Sequence, residues 1–335
     1  DQGAEAEVRT IIDITKDAQQ SSCIFDWDAA APSESVVRKL EEPADASLQE
    51  ALALIRAAKR PVVLAGHGIM LGEATEEFRK FTDTTGIPAA ITLLGIGCLP
   101  ASHPSNLGMM GMHGEAWVNT AIQEADLLIA LGMRFDDRVT GNLKTYALNA
   151  KKIHVDIDPT EINKNVPVDV ALIGDLREVL TVIQPQVKKA AHAEWWQTIA
   201  GFRGDSAVRD IQSLPDSGHL YAAHVINDIW RLTQKRDTIV VTDVGQHQMW
   251  EAQYFRHDQP RSLITSGGLG TMGFALPAAI GAKFACPDKD VWVVVGDGGF
   301  QMTSCELATA EQEGIKINVA IINNGYLGMV RQWQE

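Results

Sequence analysis

The chain is predicted to be an α/β protein with doubly wound parallel sheets and helices on both faces of each sheet. Short apolar runs alternate with helix-length stretches along most of the sequence, and this order produces parallel strands joined by crossover helices. A charged, helix-rich stretch at residues 186–217 interrupts the alternation, which then resumes. We therefore expect two such sheets, one on each side of this stretch.

The first sheet is expected within a central domain at residues 47–185. The domain begins with a helix, because Leu48, Leu52 and Ile55 recur at helical spacing, and Ser47 is the expected N-cap. Buried strands are predicted at residues 61–65, 89–93, 127–131 and 153–157. Helix-like stretches separate these strands, so the sheet is expected to be parallel.

The second sheet is expected within residues 220–335, after a connector at residues 186–219. A helix is predicted at residues 221–232. Strands are predicted at residues 238–242, 263–265, 291–295 and 317–322. The last two strands enclose a helix-length segment, which makes them a βαβ unit.

The remaining residues do not form a domain of their own. Residues 10–14 are a β-branched run with no partner strand before it, and a single strand cannot fold independently. Residues 1–20 are therefore expected to be the tail of a preceding domain. Residues 21–46, rich in Ala, Pro, Ser and acidic side chains, are expected to be a linker. The chain stops soon after its last predicted strand, so we expect an excerpt of a longer protein.

Composition excludes several functional classes. The net charge of −14 and the absence of a basic stripe argue against a nucleic-acid partner. No apolar run is long enough to cross a membrane. The four cysteines are scattered without metal-binding spacing, as expected for reduced thiols in a cytosol-like compartment.

The most informative motif is the pair of turns that end the last two strands. The first turn carries Asp297, followed by Gly298 and Gly299, and the second carries Asn324. Neighbouring strand ends are where open α/β sheets bind ligands. Carboxylate and amide oxygens suit Mg²⁺, which takes its other ligands from water and phosphate. We therefore expect a Mg²⁺-diphosphate site here.

Two further glycine-rich segments fit the same interpretation. Gly245, Gln246 and His247 follow the strand at 238–242, and both side chains can donate hydrogen bonds to a phosphate. A glycine-rich loop at residues 266–277 leads into a helix. Such loops cradle phosphate or let a flat ring approach the backbone closely.

These motifs together resemble those of thiamine diphosphate (ThDP) enzymes, and the segments DVGQHQMW, SGGLGTMGFALPAAIGAKFA and NNGYLGMVRQWQE narrow the resemblance to the acetolactate synthase large-subunit family. The resemblance implies that the Asp297 side chain, the Asn324 side chain and the Tyr326 main-chain oxygen bind Mg²⁺. It also implies that the loop with Gly270 and Met272 bends ThDP. Met329 and Trp333 would lie at the substrate entrance. Gly299 stands where many members have Ser, a change expected to be mild.

The central domain carries motifs for a second cofactor. Arg134 and Arg138 lie four residues apart after a strand and a glycine, so their guanidinium groups can bind a diphosphate. The segments GMHG, LGMRFDDRVTG, HVDIDPTEINKN and IGDL resemble the FAD-binding domain of the same family. The resemblance implies FAD contacts at Gly66, Gly68, Thr92, Leu93, His113, Gly132, Arg134, Arg138, Asp156, Ile157, Asp175 and Leu176. No GxGxxG fingerprint is present, so a standard dinucleotide site is not indicated.

The implied reaction is the decarboxylation of pyruvate and its condensation with pyruvate or 2-oxobutanoate, the first common step of branched-chain amino-acid biosynthesis. The family's catalytic glutamate lies in a pyrimidine-binding domain that this sequence lacks, so no catalytic residue is assigned and the isolated chain is expected to be inactive. A ThDP- and FAD-dependent pyruvate oxidase, glyoxylate carboligase and a non-catalytic cofactor-binding scaffold are the alternatives. The family implies a homodimer or higher oligomer and a small regulatory subunit. Both a bacterial cytoplasm and a plastid are open as locations, and the bacterial cytoplasm is the one we expect.

Overall fold

The computed structural model describes Ser22 and residues 44–190, 192–206 and 218–335. The predicted domain tail at residues 1–20 lies outside the described residues. So do nearly all of the predicted linker at residues 21–46 and residues 207–217 of the predicted connector. The architecture given below concerns the chain from Asp45 onward.

The first sheet is built from residues 61–173. Its strands are β1 (Pro61–Ala65), β2 (Ala89–Ile91), β3 (Asn106–Met109), β4 (Leu127–Leu131), β5 (Lys151–Asp156) and β6 (Val170–Ile173). Its helices are α1 (Asp45–Ala57), α2 (Gly68–Leu71), α3 (Thr75–Thr85), α4 (Ala116–Glu124), α5 (Asp137–Thr140), α6 (Leu176–Ile183) and α7 (Ala193–Ser206). The order is β3-β2-β1-β4-β5-β6, and every neighbouring pair is parallel.

Helices cover both faces of this sheet, because alternate residues of its strands point to opposite sides. Val63 of β1 belongs to the core that contains α1, α3 and α6. Its neighbours Val62 and Leu64 belong to the core on the other face, with α4 and α7. Trp195 of α7 is fully buried there and donates a hydrogen bond from Nε1 to the Pro61 carbonyl at 3.1 Å. Part of the predicted connector therefore packs on the first sheet.

The second sheet has the order β10-β9-β7-β8 and is also parallel throughout. Its strands are β7 (Thr238–Thr242), β8 (Leu263–Thr265), β9 (Asp290–Gly296) and β10 (Asn318–Ile322). Its helices are α8 (Ala222–Thr233), α9 (Gln246–Tyr254), α10 (Ala275–Ala285), α11 (Asp297–Thr303), α12 (Leu307–Gln312) and α13 (Gly328–Gln334). Val241 and Val293 pack toward α10, whereas Val240 and Val294 pack toward α8 and Phe255. The predicted doubly wound α/β class is confirmed.

Each sheet has a point where the direction of chain progression reverses, and ligands bind outside the strand ends at such points. In the first sheet this point lies between β1 and β4, and in the second between β7 and β9. The turns that follow these four strands carry most of the motifs singled out above. The topology therefore directs attention to the carboxyl ends of the strands.

Several local predictions needed correction. The first helix begins at Asp45 with Ala44 as N-cap, so Ser47 lies within its first turn and does not cap it. Strand β2 ends at Ile91, because Thr92 accepts a hydrogen bond from Gly95 N and starts a short 3₁₀ turn. Strand β3 was not predicted, since NLGM is short and contains glycine. No helix in the described residues is long and apolar enough to span a membrane.

Candidate functional site

A cavity of about 680 Å³ lies at the carboxyl ends of the strands and is lined from both sheets. The first sheet contributes Thr92, Leu93, His113, Gly132, Arg134 and Arg138 of the candidate residues. The second contributes Gly245, Gln246, His247, Gly270, Met272, Gly298, Gly299, Asn324, Tyr326, Met329 and Trp333. A volume of this size suits a cofactor or a drug-sized ligand. The structure thus brings together candidates that are far apart in sequence.

The predicted Mg²⁺ corner forms where β9 and β10 end side by side. Gly296 pairs with Ile322 in the parallel ladder, so Asp297 and Asn324 both follow paired ends. Oδ1 of Asp297 is buried and has no hydrogen-bond partner among the described residues. Asn324 Oδ1 accepts from Tyr326 N at 3.0 Å, which fixes the turn. A buried carboxylate oxygen without a partner is costly unless a cation or donor binds it.

The histidine of the turn after β7 lies against this corner. The ring of His247 packs between two glycines, because a Cβ at Gly245 or Gly296 would come within 2.8 or 3.0 Å of its Cε1 atom. Gly245 has a φ of +150°, which glycine adopts readily. Nε2 of His247 is buried without a partner among the described residues. Burial lowers the pKa of this imidazole, against the opposing effect of Asp243 and Asp297, so the ring is neutral near pH 7 and keeps one N–H donor.

Asp243 connects the turn after β7 to the glycine-rich loop. Its carboxylate is fully buried. Oδ1 accepts from Val244 N at 2.9 Å and from Gly273 N at 3.1 Å, and Oδ2 accepts from Ala275 N at 3.0 Å. Hydrogen bonds to an ionised acceptor are stronger than neutral ones. This carboxylate therefore fixes the loop that carries Gly270 and Met272. Asp243 was given no role from the sequence, although an Asp directly after a buried strand was a usable signal.

We expect Asp243→Asn to destabilise the fold by about 2–3 kcal/mol, because the amide NH₂ would face the Ala275 N–H and leave donors unpaired. Urea unfolding measures the change. Asp237→Asn is the matched control, since Asp237 lies at the other end of β7 in an exposed ion pair with Lys289 at 3.1 Å. Equal stability of the two variants would contradict the role given to Asp243.

Gly299 lies close against the same carboxylate, Asp243. A Cβ at this position would come 2.5 Å from Asp243 Oδ1, so any side chain here requires the carboxylate to shift. Many family members have Ser where this chain has Gly299, and we expected this change to be mild. In this chain, however, the Asp243 carboxylate leaves little room for a side chain at position 299. The neighbouring Gly298 is limited differently, by Leu327 Cδ2 at 2.8 Å from a built Cβ.

The first-sheet side of the cavity carries charges of both signs. His67, His113, Arg134 and Arg138 line it together with Asp136 and Asp137, and Arg134 lies 3.7 Å from Asp136 in an ion pair. Burial lowers the pKa of both histidines, and the Arg261 and Arg138 guanidinium groups lower it further for His67 and His113 respectively. Arg138 Nη1 contacts the Met112 sulfur at 3.8 Å. Grouped guanidinium groups beside neutral imidazole donors are suited to a diphosphate.

The lowered pKa values predict an acid-sensitive fold. The unfolded chain takes up protons on these imidazoles near pH 6.5, where the folded chain resists them. Stability is therefore retained above this pH and lost as the pH falls below it. We expect the His67→Gln/His113→Gln variant to show a smaller fall in urea midpoint than the parent between about pH 7.5 and about pH 5.5. The variant His219→Gln, at an exposed histidine, should retain the parent profile.

Some FAD-contact candidates lie outside this cavity, and structural roles account for the glycines. Gly66 N donates to Leu131 O at 3.0 Å and Gly68 N to Gly132 O at 2.9 Å. A Cβ at Gly66 would clash with Gly132 O, and one at Gly68 would lie 2.6 Å from Gly132 Cα. These glycines therefore let β1 and β4 end in direct backbone contact.

The acidic candidates and their neighbours serve turns and helix starts. Asp156 accepts from Asp158 N at 2.9 Å, and the following Ile157 is 55% exposed. Asp175 caps α6 through Arg177 N and Glu178 N, while Leu176 is buried in the core. Both carboxylates lie at the carboxyl ends of strands, where ligands bind in such sheets. Their contact with a cofactor is not tested by the cavity and stays a prediction.

Several methionines that were not among the predicted site residues also line the cavity. Besides Met272 and Met329, the cavity is lined by Met109, Met110, Met112, Met133 and Met249. Met109, Met110 and Met112 belong to one segment, and their clustering was a usable signal. Met133 and Met249 come from distant parts of the chain, so no local pattern could have grouped them with it. Thioethers adapt to irregular shapes and contact aromatic rings favourably. The lining is therefore suited to flat ring systems.

A parallel α/β fold with an oxygen-ligand corner at the ends of β9 and β10, next to the switch point, defines the class. The central-domain model of thiamine pyrophosphate enzymes matches residues 48–183, and the C-terminal TPP-binding domain model of these enzymes matches residues 243–335. The chain belongs to the thiamine pyrophosphate enzyme family.

Within this family, the chain is similar to acetolactate synthases. It is 46% identical to the Mycobacterium bovis acetolactate synthase over 331 residues, covering 97% of this chain and 53% of the relative. It is 47% identical to the Lactococcus lactis acetolactate synthase large subunit, covering 88% and 51%. It is 43% identical to the Escherichia coli acetolactate synthase isozyme 3 large subunit, covering 86% and 51%. The chain thus spans about half the length of the curated relatives it matches.

Proposed function

We propose that this chain is the flavin-binding and diphosphate-binding part of an acetolactate synthase large subunit. The observation that carries the proposal is the cavity shared by both sheets. Arg134, Arg138 and His113 line it from the first sheet, and Gly298 and Asn324, from the turns that follow the paired ends of β9 and β10, line it from the second. The residue types at each side match the cofactor proposed for it. The domain boundaries proposed with this function are residues 47–185 for FAD and 220–335 for ThDP.

The residues at the corner fit a Mg²⁺-diphosphate group. Asp297, the Asn324 amide oxygen and the Tyr326 main-chain oxygen form the hard oxygen donor set that Mg²⁺ prefers. The unpartnered Oδ1 of Asp297 supplies the charge. Among the described residues no group of three His, Cys, Asp or Glu side chains could hold a metal, which agrees with a site completed by amide, main-chain and phosphate oxygens. His247 Nε2 and Gln246 would bind the diphosphate.

When bound, ThDP supplies the carbon nucleophile that decarboxylates pyruvate. The chain's own residues hold and orient it. Asp243 fixes the loop that carries Met272, and Met272 would support the thiamine rings. Met329 and Trp333 would border the route by which the 2-oxo acid enters. Arg134, Arg138 and His113 would bind the FAD diphosphate. We assign no catalytic acid or base to this chain, and we propose that it forms no acetolactate by itself.

The partners are part of the same proposal. The "large subunit" relatives suggest a small regulatory subunit, and cofactor sites shared between protomers would require a homodimer or higher oligomer. The proposed substrates are pyruvate and 2-oxobutanoate, and the proposed location is a bacterial cytoplasm.

The test is product analysis on the full-length protein with Mg²⁺, ThDP and FAD. Acetolactate formed from pyruvate without an electron acceptor supports the proposal. Acetate formed only with an electron acceptor would instead identify a pyruvate oxidase, because that reaction must transfer two electrons through the flavin. The 335-residue chain is assayed in parallel, and acetolactate from it alone would contradict its proposed inactivity.

A further inference from the structure

A buried chain of three polar side chains lies behind the cavity, outside the residues given a role above. Glu251 on α9 and His257 in the following loop are fully buried. Glu251 Oε1 lies 2.7 Å from His257 Nε2, and His257 Nδ1 lies 2.7 Å from Ser262 Oγ. Ser262 Oγ in turn donates to Gln259 O at 2.7 Å.

The proton positions follow from the donors available. A backbone carbonyl only accepts, so the Ser262 hydroxyl hydrogen goes to Gln259 O. Ser262 Oγ must then accept from His257, which places a proton on Nδ1. At 2.7 Å, His257 Nε2 and Glu251 Oε1 need one further proton between them. The two groups are therefore joined by one proton, and the second carboxylate oxygen of Glu251, Oε2, is buried without a partner among the described residues.

The same three residues connect the two sides of the cavity. Helix α9 begins with Gln246 and His247, and its residue Gln253 donates to His113 O at 2.7 Å on the first-sheet side. The loop that follows α9 also docks on the first sheet. His257 O accepts from Ala101 N at 3.0 Å, and Asp258 accepts from Ser102 N at 2.9 Å.

At the other end of this chain of three side chains, Ser262 contacts the second sheet. Ser262 O accepts from Val240 N of β7 at 2.8 Å, immediately before β8 begins. The buried side chain of His257, in the loop that follows α9, thus contacts Glu251 of α9 on one side and Ser262, which is bonded to β7, on the other. The C-terminal end of α9 cannot shift without breaking either the Glu251 or the Ser262 hydrogen bond.

We propose that Glu251, His257 and Ser262 are positioning residues that set the orientation of α9 and thereby hold Gln246 and His247 against the ThDP diphosphate. This inference rests on the proposed function, because it concerns the same cofactor corner. None of the three residues lines the cavity, so they act through α9 and not by touching the cofactor.

The test compares three variants of the full-length protein by ThDP affinity, measured by fluorescence quenching well below the unfolding temperature. Glu251→Gln replaces the shared proton with an amide N–H donor to Nε2, and we expect ThDP affinity within about twofold of the parent. Glu251→Ala leaves Nε2 unpaired, and we expect roughly tenfold weaker binding. Glu251→Ala/His257→Phe removes both polar partners and should recover most of the loss.

Controls separate positioning from general stability. Asp228→Ala, in an exposed pair with Arg231 on α8, should leave ThDP affinity unchanged. If Glu251→Ala lowers the unfolding temperature but not ThDP affinity, or if Glu251→Gln loses as much affinity as Glu251→Ala, the inference is overturned. ¹⁵N NMR of histidine-labelled protein should show a protonated Nδ1 for His257 that persists in Glu251→Gln. A parent protein that binds no ThDP would instead count against the proposed function.

Discussion

Asp297→Asn is expected to weaken ThDP binding by about 100-fold, because removing the only carboxylate of the proposed Mg²⁺ donor set costs on the order of 3 kcal/mol. Asp297 starts α11 directly after β9, and its Oδ1 has no partner among the described residues. The substitution keeps the shape of the side chain and removes its charge. Titration of the full-length protein with ThDP at fixed Mg²⁺ measures the effect, and acetolactate formation should fall in parallel at limiting ThDP.

The matched control is Asp290→Asn at the other end of the same strand. Asp290 pairs with Arg236 at 3.0 Å on the surface, and exposed ion pairs contribute little. This variant should bind ThDP like the parent. Unchanged affinity in Asp297→Asn, or an equal loss in both variants, would contradict the proposed metal corner.

Gly132→Ala is expected to destabilise the central sheet by at least about 3 kcal/mol, since overpacking and a left-handed backbone both oppose it. Gly132 has a φ of +58°, and its Cβ would come 2.6 Å from Gly68 Cα. The atoms in the way are backbone, so no rotamer change relieves the contact. Urea unfolding of the 335-residue chain measures the loss, and FAD affinity should fall with it.

Gly314→Ala isolates the backbone effect. Gly314 has a φ of +63°, close to that of Gly132, but nothing lies within 4 Å of its built Cβ. We expect it to cost about 1–2 kcal/mol from conformation alone. Similar losses for the two variants would show that the close approach of β1 and β4 is unimportant.

The sequence predicted the fold class because apolar periodicity and chain order are local signals. The strands at residues 61–65, 127–131 and 238–242 have the predicted limits. Strand β3 was missed because NLGM is short, contains glycine and has only two apolar residues. Ser47, which directly precedes the first apolar residue, was predicted as the N-cap, but the helix starts at Asp45 without a side-chain cap.

The candidate site was predicted in its parts but not in its assembly. Glycine and acidic turns after strands indicated the diphosphate corner, and the parallel pairing of Gly296 with Ile322 places its two strand ends together. The joining of both sheets around one cavity, and its methionine lining, depend on contacts between distant segments. The buried hydrogen bond between Glu251 and His257 could not be predicted either, because a Glu and a His six residues apart form no recognisable motif.

The most direct test of the account is a crystal structure of the full-length protein with ThDP, Mg²⁺ and FAD. We predict one Mg²⁺ ion about 2.1 Å from oxygens of Asp297, Asn324 and the Tyr326 main chain, with the diphosphate completing its octahedron. We also predict the flavin diphosphate beside Arg134 and Arg138. A diphosphate bound away from the ends of β9 and β10, or a cation held without Asp297, would contradict it.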